Sequence, residues 1–136
     1  MNLSTHAENL IATWLAGGAA PSQLTTVYLD VHSASPGEGN TNSTSVYQTL
    51  TGTSGRKAIT PTSSSFSATG SNVTNSAEIL LTSSAVAACT ITHFSIWTAS
   101  TGGSQIYSGS ITSSPINIVV SNRVSFAIGS IQITVA

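Results

Sequence analysis

The sequence predicts a mainly β protein: an antiparallel β-sandwich or jelly-roll-like domain of about eight strands with one N-terminal amphipathic helix. Two observations carry the β part. Between residues 24 and 136, Ile, Val, Leu and Phe recur at alternate positions, and clusters of Gly, Pro, Asn and Ser break that alternation about every 8–12 residues. A third observation sets the helix apart, because only residues 5–16 carry apolar positions at helical spacing. A chain of 136 residues suits one core, so a single domain over 1–136 is expected, with helix 5–16 and sandwich 24–136.

In the helix, Ala7, Leu10, Ile11, Trp14 and Leu15 fall at i, i+3, i+4, i+7 and i+8, which gathers them on one face. Thr5 and Glu8 have capping-box spacing, and Gly17-Gly18 can supply a left-handed stop. The apolar stripe needs a cover; the domain's own sheet is the expected one and a neighbouring subunit the alternative. After Pro21 the period becomes two, with Val27, Leu29 and Val31 facing one way and Tyr28, Asp30 and His32 the other, as in a half-buried strand. SASPGEGNTNSTS, residues 33–45, has the composition of an exposed loop. The turn TGTSG leads into RKAIT, and 61–76 is expected as a second polar loop, interrupted by Phe66, before the strand in AEILLT.

From Ala85 the β signal strengthens. Cys89 and Ile91 lie on one phase and Phe94 and Ile96 on the opposite one, a slip that predicts a bulge near His93 or a strand buried on both faces. TASTGGSQ is a hairpin loop from which Ile106 to Ile111 returns. Three strands close the chain: Ile116, Ile118 and Val120; Val124, Phe126 and Ile128; Ile131, Ile133 and Val135. Leu10, Ile11, Trp14, Val27, Leu29, Phe94, Ile96, Ile118, Phe126 and Ile133 are the expected core.

Charged residues are 5% of the chain, where about 25% is usual, and Ser plus Thr fill 45 of 136 positions. Solubility therefore rests on hydroxyls and amides. Arg56, Lys57 and Arg123 against Glu8, Asp30, Glu38 and Glu78 give a net charge of −1, with no basic patch to neutralise phosphates, which argues against a nucleic-acid partner. No stretch approaches the roughly 20 apolar residues of a membrane helix. The N-terminus lacks the charged and apolar regions of a secretory leader, so synthesis in a cytosol is expected. Cys89, alone in AVAACTIT, cannot form an internal disulfide and suits a small buried hydrophobe.

The inventory for catalysis is thin. His6 lies on the helix, His32 ends the first strand and His93 sits mid-strand, with no HxH, HExxH or paired-carboxylate spacing to collect metal ligands. Asp30 and His32 share a strand face at i, i+2, about 7 Å apart along the strand. Completing a triad with one of 25 serines would be coincidence. Three glycosylation sequons begin at Asn2, Asn42 and Asn72, and chance explains them in a chain this rich in Ser and Thr. Trp14, Trp97, Tyr28, Tyr47 and Tyr107 could build a sugar-stacking platform, but burial is the simpler expectation for the two tryptophans. The repeated TxT ranks of an ice-binding surface are absent. No catalytic, metal, cofactor or partner-binding residue is assigned.

Several segments together resemble one family, the small virion proteins of tailed phages usually labelled tail fibre proteins. VYLDVHSASPGEGNTNS resembles that family's opening strand and Pro-Gly-acidic turn, GRKAIT its next strand, and VSFAIGSIQITV its close. ITHFSIWTASTGGSQIYSGSI resembles its most distinctive stretch, through Thr92-His93-Phe94, Ile96-Trp97, Thr101-Gly102-Gly103 and Tyr107-Ser108-Gly109. The chain departs from the family in the Ser-rich loop 61–76 and at Ala87-Ala88-Cys89, where the family more often has an aromatic residue and a turn. The resemblance implies a non-enzymatic virion component made in the bacterial host cytoplasm, with major capsid or tail proteins as partners. Fibres advertise heptads, collagen triplets or β-repeats, and this chain has none. Capsid decoration or cement is therefore expected first, as a homo-oligomer with a trimer favoured, and a tail fibre, tail-tip or fibre-attachment role second. A stand-alone carbohydrate- or surface-binding module is the remaining alternative.

Overall fold

A computed structural model of the chain describes residues 2–37, 44–62, 65–111 and 115–134. Its largest sheet has five antiparallel strands, in the order β1 (Asn2–Leu3), β9 (Gln105–Ser110), β8 (His93–Trp97), β2 (Val27–His32) and β3 (Lys57–Ile59). The strict alternation of β2 sets its inner face, where Val27, Leu29 and Val31 meet Phe94 and Ile96 of β8 and Tyr107 of β9 in the core. Three smaller antiparallel ribbons complete that core. They are β6 (Ile79–Thr82) with β11 (Val124–Phe126), β7 (Cys89–Ile91) with β10 (Ile116–Ile118), and β4 (Phe66–Thr69) with β5 (Asn72–Asn75) and β12 (Gln132–Thr134). Ile79, Leu81, Ile91, Ile118, Val124, Phe126 and Ile131 enter the same apolar cluster as the large sheet, so the sandwich-like antiparallel fold is the one expected.

The described residues hold twelve short strands rather than about eight. Two differences account for most of the excess. The segment 61–76 is not a loop throughout: β4 and β5 form a hairpin whose Thr69↔Asn72 pairing leaves Gly70-Ser71 as a two-residue turn, with Gly70 at φ +61°. The phase slip at residues 89–96 is not a bulge at His93; β8 is buried on both faces from Phe94 to Trp97, the second of the two expectations, and the slip itself marks a change of sheet. The chain leaves β7 at Thr92 and changes sheets into β8, so Ile91 and Phe94 both reach the core. The hairpin joining β8 and β9 is as expected, with a register shift between Ile96 and Trp97.

The helix α1 spans Thr5–Leu15. Ser4, not Thr5, caps it: the Ser4 hydroxyl accepts from the Ala7 N–H at 3.2 Å and donates to the Gln105 carbonyl, fastening the helix start to β9. Only Ala7 is buried on this helix; Ile11 is half-buried, while Leu10, Trp14 and Leu15 are 42%, 52% and 75% exposed. The expectation that the stripe packs on the domain's own sheet is thus overturned. The ribbons already cover the inner face of that sheet, and α1 docks at its β1–β9 end.

Of the other expected core residues, Val27, Leu29, Phe94, Ile96, Ile118 and Phe126 are buried and Ile133 is half-buried against the core. Val120 and Ile128 are exposed instead of continuing their strands. The chain turns after Ile118 through an Asn122 N–H to Val119 carbonyl bond, and turns again at Gly129, φ +83°. A short second helix, α2 (Tyr47–Thr51), was not expected; it buries Tyr47 and Leu50 and stops at Gly52 in the left-handed conformation, φ +73°. Val135 lies outside the described residues.

Candidate functional site

Asp30, His32, His93 and Arg56 converge on the outer face of the large sheet. On β2 the even positions Asp30 and His32 point away from the core, and the β2–β8 register places Asp30 opposite Ser95 and His32 opposite His93. Asp30 and His32 are nonetheless buried, so the strand is not half-buried as expected: the segments around Ser33–Gly37 and Thr44–Val46 fold over it. Val46 N–H donates to the Val31 carbonyl at 2.9 Å and Ser33 N–H to the Thr44 carbonyl at 3.1 Å. Gln105 Nε2 holds the Gly37 carbonyl at 3.1 Å, while its Oε1 has no hydrogen-bond partner among the described residues. Glu38 and the middle of the 33–45 loop, including Asn42, lie outside the described residues.

Hydrogen-bond accounting assigns the protons of His32. Thr44 Oγ1 donates to the Ala34 carbonyl at 3.1 Å, so it accepts from His32 Nδ1–H at 3.2 Å. The Trp97 indole N–H donates to Ser95 Oγ at 2.7 Å, and His32 Nε2 lies 2.7 Å from the same hydroxyl, which donates to it when the imidazole is neutral. Burial favours that neutral form and is the largest cause lowering the His32 pKa; the negative charge of Asp30 opposes that, and His93 and Arg56 lower it further. His93 is lowered too, by its own burial and then by the N-terminal charge.

Asp30 takes its compensation elsewhere. Its Oδ1 accepts from Ser45 Oγ at 2.7 Å and from the Val31 N–H at 2.9 Å, and its Oδ2 lies 3.7 Å from Arg56 Nε. The Arg56 guanidinium stacks 3.7 Å from the centre of the Trp97 ring and donates to the carbonyls of Ala99 and Gly102 at 2.8 and 2.9 Å. Burial lowers the Arg56 pKa while Asp30 raises it. Arg56 thus ties the start of β3 to the β8–β9 hairpin loop.

Geometry separates this constellation from a catalytic triad. Ser95 and Asp30 both approach the same ring nitrogen, His32 Nε2, at 2.7 and 4.0 Å, whereas a Ser-His-Asp relay needs them on opposite nitrogens. Ser95 is also fully buried, out of reach of a substrate. His6 lies apart on α1, and no three His, Cys, Asp or Glu side chains among the described residues are grouped to hold a metal. Cys89 is half-buried against the core, and burial pushes its thiol pKa up. Burial likewise raises the Tyr47 pKa, with Thr51 opposing and Asp30 adding to the rise. The aromatic residues build no shared platform: Trp97, Tyr47 and Tyr107 are buried, Tyr28 is half-buried and Trp14 stands exposed on α1.

The exposed apolar surface is the other candidate, and the sequence reading missed it by assigning the helix stripe to the core. A cleft of about 200 Å³ opens between the large sheet and the β4–β5–β12 ribbon, with walls that include Val27, Phe66, Val73, Ile106 and Ile133 and with Leu24 beside them. No helix in the described residues is long and apolar enough to cross a membrane.

A family model described as Podophage GP4 fiber I protein gp80 matches residues 2–134. The chain belongs to that family. In this fiber I family member the match takes in both candidate surfaces, the buried polar face and the exposed α1 ridge with its neighbouring cleft, as well as every described strand. The stretch Thr92–Gly109, the most distinctive in the resemblance, forms β8, β9 and their Arg56-anchored loop. No curated protein matches the chain.

Proposed function

We propose that this chain is a non-enzymatic structural protein of a phage tail, built into the fibre or the site where a fibre attaches. The observation that carries this is the fiber I family match over 2–134, the whole described domain. Tail placement precedes the capsid decoration expected from a compact chain without fibre repeats, because the family is a fibre family. The polar cluster supports a structural role, since its hydrogen bonds are spent on closing a loop over the sheet rather than on an accessible group. The working unit is one domain over residues 1–136, made in the bacterial host cytoplasm and assembled as a homo-oligomer, a trimer in preference, against other tail proteins. Mass spectrometry of purified virions tests the placement: a few copies per particle, lost with the tails when heads and tails are separated, are expected. Hundreds of copies retained on isolated heads would restore capsid decoration, and absence from particles would overturn both.

A further inference from the structure

Two atoms of the polar cluster each serve two partners. Ser95 Oγ receives the Trp97 indole N–H at 2.7 Å and lies 2.7 Å from His32 Nε2. Asp30 Oδ2 lies 4.0 Å from the same His32 nitrogen and 3.7 Å from Arg56 Nε. Arg56 in turn stacks on Trp97 and holds the carbonyls of Ala99 and Gly102 in the loop between β8 and β9. A continuous set of contacts therefore runs from a fully buried imidazole to a surface loop.

The proton count at Nε2 decides how those contacts are satisfied. In neutral His32, Nδ1–H donates to Thr44 Oγ1 and Nε2 accepts from the Ser95 hydroxyl. Protonation leaves the Nδ1 bond as it is and turns Nε2 into a donor. Two N–H groups then point at Ser95 Oγ, and the hydroxyl proton has lost its acceptor. The carboxylate oxygen beside the new charge is Asp30 Oδ2, which Arg56 already faces. Two cations on one oxygen repel strongly in a site shielded from water. The His32 side chain has no exposed surface, whereas that of Arg56 is 12% exposed and reaches the surface loop. Arg56 is the partner that yields.

The charged and titratable groups facing His32 are Asp30 on its own strand, His93 opposite it on β8, and Arg56 from the segment before β3. Thr44 and Ser45 bring only hydroxyls, and α2 brings the Tyr47 phenol towards Asp30. Among these described residues Asp30 is the one carboxylate, so Arg56 finds no replacement when His32 takes it. We propose that protonation of His32 draws Asp30 from Arg56 and so releases the loop at residues 98–104 while the five-stranded sheet stays intact. The cluster is then a proton-sensitive latch, a role beyond closing the chain over β2.

The test is nuclear magnetic resonance of the full-length chain between about pH 7.5 and 5, a range that spans histidine titration. It follows the His32 imidazole and amide-exchange protection together. The Ser104 N–H, bonded to Thr98 Oγ1 at 2.9 Å, and the Thr98 N–H, bonded to the Ser104 carbonyl at 3.0 Å, report the loop. The Phe94 and Tyr107 amides report the sheet. Loop protection is expected to fall by about tenfold or more with the midpoint of the His32 titration, while sheet protection holds. His32→Gln should keep the loop protected across the range, His93→Gln should leave the response in place, and Arg56→Gln should leave the loop unprotected at every pH. Should a variant fail to fold, the two midpoints in the wild type still decide. Loop protection unchanged through the His32 midpoint, a response lost in His93→Gln, loop and sheet exposed together, or a His32 that stays neutral until the chain unfolds would each overturn the proposal.

Discussion

Arg56 answers a need that Asp30 creates. A carboxylate buried between two strands costs several kcal/mol unless charge and donors compensate it, and the guanidinium supplies the charge. Arg56→Ala should therefore destabilise the fold by about 3 kcal/mol or more, measured by urea unfolding. Arg56→Lys should recover only part of that loss, because a lysine cannot stack on Trp97 and hold two loop carbonyls with one planar group. Phe94, fully buried beside Tyr107 with ring centres 5.9 Å apart, should cost about 3–5 kcal/mol on truncation to alanine; a loss below about 1 kcal/mol would contradict its inward phase. His32 sets a pH dependence with a definite sign. Its folded pKa is lowered from 6.5, so the unfolded chain takes up protons that the folded protein refuses, and His93 acts in the same direction. Stability from these groups is complete above about pH 6.5 and declines as pH falls towards their folded pKa values. The melting temperature should drop between pH 7.5 and 5.5, and His32→Gln should flatten that drop while lowering the melting temperature at pH 7.5.

Among the elements, the three-stranded ribbon β4–β5–β12 depends on one side chain. Asn75 is fully buried; its Nδ2 donates to the carbonyls of Ala77 and Ala127 at 3.0 and 2.9 Å, and its Oδ1 accepts from the Ile131 N–H at 2.9 Å. Asn75→Ala would take a hydrogen bond from each of three backbone groups, of which the Ala127 carbonyl keeps the one from the Ser130 N–H, an expected loss of about 3 kcal/mol in chemical denaturation. The same ribbon shows where sequence patterning is weak. β2 and β8 were legible because large apolar residues alternate along them, but β4 and β5 carry only Phe66 and Val73 among Ser, Thr, Ala and Asn, so their period is nearly silent. The available signal was Gly70-Ser71, a two-residue hairpin turn. For α2 it was Tyr47 and Leu50 at i, i+3 followed by Gly52. The α1 stripe was read correctly as amphipathic and wrongly as covered, because periodicity reports a face and says nothing about what lies against it. The polar cluster was half legible. Asp30 and His32 share a face by local parity, whereas Ser95, Trp97 and Arg56 join them through a register and a loop closure that no local pattern encodes.

At the scale of the whole molecule, the sheets are too small to stand alone: two of the three ribbons have two strands, and an isolated two-stranded hairpin is at best marginally stable in water. Their stability has to come from the shared core, to which the large sheet, α2 and all three ribbons contribute side chains. That arrangement predicts one cooperative unfolding transition for the chain. The two tryptophans make the point measurable. Trp97 is buried and hydrogen-bonded in the large sheet, so its emission reports that sheet, while the exposed Trp14 changes little. Far-ultraviolet circular dichroism reports the ribbons together with the sheet. In a Trp14→Phe background, fluorescence and circular dichroism should trace coincident urea transitions with one midpoint. A circular-dichroism loss that precedes the Trp97 signal would mean that a ribbon melts on its own and that residues 1–136 are not a single folding unit. Screening should matter little to that midpoint. Seven charged residues, of which Asp30 with Arg56 and Glu78 with Arg123 are already paired, leave few surface interactions for salt to weaken, so raising salt from about 0.05 to 0.3 M should shift the transition far less than the change from pH 7.5 to 5.5 does.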